Sequence, residues 1–174
     1  MSLTLRDITT SNSDEELFHK LSFELQSRLP PDVQDDYELL VPALRALPHG
    51  LRAMASTHRL DVSMAIDDLG WHFHNFYNRA FCDETQWGLR ELEAVEAAEI
   101  FESARALVEP HWEEIGSYIA IGGDAFADWY SDSGVERAMG PLNKRLWAIC
   151  ERSSYGLMQY WLDYARNHPE RVTK

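Results

Sequence analysis

Apolar positions recur at helical spacing over most of the chain, and no stretch of any length alternates as a half-buried strand would. The densest stretch is 60–81, LDVSMAIDDLGWHFHNFYNRAF, which gathers Met64, Ile66, Leu69, Trp71, Phe73, Phe76 and Tyr77. That content predicts a central buried helix, with Asp61 as its N-cap. Gly70 falls near its middle, where Gly costs about 1 kcal/mol relative to Ala, so a close helix crossing or a kink is expected there. The stretch also holds polar groups that a plain core helix does not need: Asp67, Asp68, His72, His74, Asn75 and Asn78.

Upstream, residues 1–12 read as a weakly ordered lead-in. Ser13 with Glu16 three residues on makes a capping-box pattern. Leu17, Phe18, Leu21, Leu25 and Leu29 follow at helical spacing until Pro30-Pro31 stops them. Asp32 is expected to cap a second helix through Tyr37, Leu40, Val41 and Leu44, which Pro42 should end or kink. Pro48-His49-Gly50 then marks a turn or the start of a short third helix with Leu51, Met54 and Ala55. Downstream, Asp83 to Thr85 should open a helix that continues or bends from Leu89 into Ala97, Ile100, Phe101 and Ala104. Pro110 suits the first turn of another, with Trp112, Ile115 and Ile119. Gly122-Gly123 is a break, 124–132 a short helix, and Ser131 to Gly134 a turn. Two helices over about 142–150 and 155–167 close the chain. No repeat of 20–50 residues is evident. The expected fold is all-α, an irregular multi-helix bundle forming a single domain over 13–174.

Composition adds direction. Apolar residues make up 45% of the 174, with six Trp and seven each of Phe and Tyr, so acidity does not imply disorder. The net charge of −13 is unevenly spread: residues 1–82 carry −5, residues 83–136 carry −12, and residues 137–174 carry +4. Such a body repels nucleic acid and anionic membranes and attracts basic proteins. Cys82 and Cys150 form no CxxC pattern, which argues against a disulfide scaffold or thiolate zinc site and fits a reducing compartment. With no signal-peptide pattern and no apolar run near the ~18 residues of a membrane span, the expected location is the cytoplasm.

The candidate chemistry is mostly charge. Glu93, Glu96, Glu99 and Glu102 recur at steps of three, each about 4.5 Å of helical rise, so their carboxylates form a slowly drifting stripe. Glu91, Glu109, Glu113 and Glu114 extend it, and Asp124, Asp128 and Asp132 repeat it at steps of four. Only Arg90 and Arg105 lie between 83 and 136, so the stretch forgoes easy local ion pairs. A carboxylate face of this kind could imitate the charge row of DNA for a basic partner, with Glu91, Glu93, Glu96, Glu99, Glu102, Glu113 and Glu114 as the contact surface. The competing reading is an ordinary solvated helix face. The basic tail is expected to pair with the acidic middle, within one chain or between the subunits of a homodimer.

Catalysis finds little support. A metal-dependent enzyme using His72, His74 and Asp68 is the alternative, but helical positions two apart point about 200° apart unless the helix breaks near Gly70. Glu16-x-x-His19 is half of a di-metal signature whose second half is missing. A third reading is a small-molecule binder with an aromatic pocket near Trp71 and Trp129. Cys82 reads as buried and inert, and neither GxSxG nor a phosphate-binding glycine loop is present, so no cofactor is expected.

Asp67, Gly70, Phe76 and Asn78, followed by Leu89, Leu92, Ala94, Ala97, Ile100 and Ala104, carry a resemblance. With echoes at 142–147 and 164–167, the chain over about 60–167 resembles a bacterial domain family whose founding member is a DNA-mimic protein. Trp71 stands where that family usually has a second Gly, His72 replaces an aromatic, His74 a Gln, and Glu93 stands where Gly is frequent. The resemblance implies an all-helical fold, no catalysis, and binding of a transcription regulator through an acidic surface that stands in for DNA.

Overall fold

The structure, a computed structural model, describes residues 3–173, and these contain helices and turns but no strand. The helices are α1 (Leu5–Thr9), α2 (Asp14–Arg28), α3 (Pro31–Gln34), α4 (Tyr37–Arg45), α5 (His49–Ile66), α6 (Leu69–Asn75), α7 (Arg79–Glu91) and α8 (Val95–Val108). A 3-10 turn (Glu109–His111) leads into α9 (Trp112–Ile121), α10 (Gly123–Asp132) and α11 (Val135–Cys150). A second 3-10 turn (Gly156–Met158) precedes α12 (Gln159–Asn167) and α13 (Pro169–Thr173). The all-α bundle read from the sequence is what forms.

The stretch over 60–81 is three helices, not one. α5 begins at His49 and runs through Asp61, whose carboxylate accepts a hydrogen bond from Leu157 N–H (2.6 Å) instead of capping a helix. The chain leaves helical geometry at Asp67, and Asp68 caps α6 by accepting from Trp71 N–H (3.0 Å). Asn78 caps α7 by accepting from Phe81 N–H (2.9 Å), four residues or more ahead of the start expected at Asp83. Gly70 lies at a close crossing: a Cβ there would run into the Tyr130 ring of α10.

Other boundaries shift for local reasons. The expected lead-in folds from Thr4 onward into α1, whose N-cap Thr4 and Asp7 form a capping box, and Leu3 and Ile8 are buried. Residues 1 and 2 lie outside the described residues. Asp36, not Asp32, caps α4, accepting from Glu38 N–H (2.8 Å). Pro42 sits inside α4 without ending it; the helical carbonyl left without its partner belongs to the exposed Glu38. α7 and α8 are separated at Leu92–Ala94, so Glu91 and Glu93 do not share a helix with Glu96, Glu99 and Glu102.

Three apolar clusters hold the helices. The largest joins the second half of α5 to α6–α11 around Phe73, Phe101, Phe126 and Leu146. A second packs α1, α2, α12 and α13 on the first half of α5 through Leu17, Leu21, Met54 and Leu162. A third, around Leu44 and Phe81, sits under α3 and α4. α5 contributes to the first two clusters and is the axis of the molecule.

Candidate functional site

The acidic elements follow each other as α8, the 3-10 turn, α9 and α10. α8 buries Ala97, Ile100, Phe101 and Ala104 and presents Glu99 and Glu102 to solvent, with Glu96 half-buried. α9 and α10 pack as an antiparallel pair about Gly122, with Tyr118 and Trp129 ring centroids 5.8 Å apart and His111 and Trp129 5.6 Å apart. Gly122 has φ +123°, a backbone state that suits glycine at this sharp reversal.

Bases distant in sequence neutralise much of the stripe. Glu96 of α8 meets Arg152 (3.2 Å) and Arg145 (3.8 Å) of α11 and its C-terminal end. Glu102 pairs with Arg90 of α7 (2.7 Å), and Arg79 bridges Glu109 (3.0 Å) and Glu113 (3.2 Å). Glu93 contacts the His168 ring (3.2 Å), and Glu114 the His111 ring (3.5 Å). Glu91 departs most from the expected surface. Its side chain is only 14% exposed, pairs with Arg171 (2.8 Å) and accepts from the Tyr164 hydroxyl, so it faces the α7–α12–α13 junction rather than a partner. That hydroxyl is pushed above its ordinary pKa, first by burial and then by Glu91. The expected pairing of the basic tail with the acidic middle thus occurs within the chain for Arg145, Arg152 and Arg171.

From α8 through α10, the carboxylates without an ion pair among the described residues are Glu99 on α8 and the exposed Asp124, Asp128 and Asp132 of α10. From residue 106 to 136 the sequence holds seven acids and neither Lys nor Arg. The α10 carboxylates rise about 6 Å per step of four along one side of the helix. The charge run showed them in the sequence; their lack of partners appears only in the fold, which among the described residues brings cations to α8 and none to α10.

The histidines serve packing. His72 is fully buried, its Nδ1 2.9 Å from Ser63 Oγ, its ring against Phe76 and Phe101, and burial pulls its pKa down to about 3. His74 places Nδ1 3.1 Å from Asn75 Oδ1 and stacks on Phe126, centroids 4.2 Å apart. Asp68 is engaged elsewhere: its Oδ2 accepts from Tyr130 Oη (3.0 Å) and Asn143 Nδ2 (2.9 Å). Among the described residues no group of three or more His, Cys, Asp or Glu could hold a metal ion. Burial pushes the Cys82 thiol up to about 12, the opposite of an activated nucleophile. Trp71 and Trp129 both pack on Phe126, at 4.9 and 5.7 Å, and do not line the large cavity, whose wall includes Phe18 and Trp161. No described helix is long and apolar enough to cross a membrane.

Against this geometry, the model of one protein family, described as DMP19-like protein, matches residues 45–168. The match begins earlier than the resemblance read over 60–167 and takes in the whole of α5. No curated protein and no solved structure matches the chain.

Proposed function

The chain belongs to the DMP19-like protein family, a family of DNA mimics, and on that premise we propose that it is a non-enzymatic acidic protein that binds a basic nucleic-acid-binding protein, such as a transcription regulator. The observation that carries the reading is the row Asp124, Asp128 and Asp132, exposed and without ion pairs among the described residues, on a stretch with no Lys or Arg. Glu99 extends it, and Glu93, Glu96, Glu102, Glu113 and Glu114 are available by exchange. Exposed ion pairs contribute only about 0–1 kcal/mol, so a partner's arginine can take over a carboxylate at small cost. Glu91 is not part of the proposed surface, because Tyr164 and Arg171 already occupy it.

Carboxylates presented this way chiefly speed encounter and set specificity. The test is affinity capture with the intact protein at 50 and 500 mM salt, with double-stranded DNA as competitor. A captured DNA-binding protein should be released by salt and displaced by DNA, and Asp124→Asn, Asp128→Asn and Asp132→Asn together should abolish capture. Retention of that partner at 500 mM salt, or full binding by the triple variant, would overturn the proposal.

A further inference from the structure

A cavity of about 720 Å³ opens between α2, α3, α5, α7 and α12, within the size range of small-molecule sites. Its apolar wall includes Phe18, Leu25, Phe81 and Trp161, and the exposed Gln26 and His58 stand among its lining residues. In a chain with 29 Asp and Glu, none lines this cavity, and among the described residues its one fixed charge is Arg59.

Arg59 is singular in a second way. Three described arginines are partly buried. Arg52 pairs with Glu84 and Arg105 with Asp83, whereas Arg59 has no carboxylate partner among the described residues. Its guanidinium donates to Tyr37 Oη (2.8 Å) and to the Gln34 carbonyl, two of the five N–H donors a guanidinium carries. It lies 5.1–5.3 Å from the ring centroids of Tyr37, Phe76 and Phe81. Ring faces offset part of the cost of burying the charge, but they supply no counter-ion.

We propose that this cavity is a binding site for a small organic carboxylate, with the carboxylate on Arg59 and an apolar body against Phe18, Phe81 and Trp161. A guanidinium at an aromatic wall matches the planar carboxylate, and the absence of acids from the lining removes the repulsion an anion meets over much of this protein. The site lies apart from α8–α10 and does not rest on the proposed partner surface.

The test is calorimetric titration of the full chain with 2-naphthoate, 2-naphthalenemethanol and 2-naphthylmethylamine. The acid should bind at least tenfold more tightly than the alcohol, and the amine more weakly still. Arg59→Gln should erase the preference for the acid while leaving alcohol binding in place. Because Arg59 also holds Tyr37 and Gln34, Ser22→Trp provides a variant that leaves Arg59 untouched; by filling the cavity from α2 it should weaken naphthoate binding at least tenfold. Equal binding of acid, alcohol and amine, unchanged naphthoate affinity in folded Ser22→Trp, or no binding of any of the three at millimolar concentration would overturn the proposal.

Discussion

At the scale of single residues, Glu93 is the described non-glycine residue with a positive φ, +60°. It closes α7 in a Schellman arrangement: Ala94 N–H reaches Leu89 O (2.9 Å) and Glu93 N–H reaches Arg90 O (3.1 Å). A side chain in this left-handed state costs about 1–2 kcal/mol, part of which glycine would return through its looser unfolded state. The frequent glycine of the resembling family at this place thus has a backbone reason. Glu93→Gly should raise stability by about 0.5–1 kcal/mol in thermal denaturation, since the exposed contact with His168 contributes little, and Glu93→Ala should give no such gain. His72 yields a pH prediction. Its folded pKa, about 3, lies below the ordinary 6.5, so the unfolded chain binds a proton that the folded one does not. The contribution is complete above about pH 6.5 and is lost as pH falls toward 3, at roughly 1.4 kcal/mol per unit. Urea titrations between pH 7 and 4.5 should show this slope, and His72→Asn should flatten it while lowering stability overall. An unchanged slope in that variant would assign the acid sensitivity to other groups.

At the scale of elements, the break between α5 and α6 was the least legible part of the fold, although its residues stood out in the sequence. Asp67 and Asp68 looked like spare polar groups on a continuous helix because what ends the helix comes from far along the chain. Asp68 Oδ2 accepts from Tyr130 of α10 and Asn143 of α11, and Asn143 Oδ1 accepts from Leu69 N–H (3.1 Å). One carboxylate and one amide therefore tie three helices together and cap the first of them. Signals that act locally were legible: the Ser13 cap, the Pro110 turn, and the breaks at Gly122 and Gly134. Signals completed across tens of residues were not, and most ion pairs of the acidic stripe belong to that class: Arg152 reaches Glu96 from 56 residues away. For the three-helix tie, Asp68→Ala should cost about 3 kcal/mol, combining a lost cap with two orphaned donors. Asn143→Ala should cost about 1–3 kcal/mol. The double variant should fall short of the sum by 0.5 kcal/mol or more, because the two side chains share one bond. Strict additivity in urea denaturation would show that they act separately.

At the scale of the whole molecule, the charge of −13 divides into two regimes. Around α8 the carboxylates sit among arginines of α7 and α11, and each exposed pair contributes up to about 1 kcal/mol. On α10, Asp128 and Asp132 repel each other at a spacing of four, and Asp132 sits at the end of the helix where its dipole disfavours negative charge. These two regimes predict opposite responses to neutralisation. Glu96→Gln should lower stability by up to about 1 kcal/mol by releasing Arg145 and Arg152. Asp128→Asn with Asp132→Asn should raise it by about 0.5–1 kcal/mol at low ionic strength, and the gain should shrink at 0.5 M salt, where the Debye length is only about 4 Å. The same double variant should lose capture of the basic partner. A carboxylate row that lowers stability and is needed for binding has the thermodynamic signature of a functional surface, since mere solubility does not require acids held in a repulsive row. Parallel denaturation and capture measurements on the one variant decide the matter: if Asp128→Asn with Asp132→Asn lowers stability and leaves capture intact, the α10 charge belongs to the fold and the partner surface lies elsewhere.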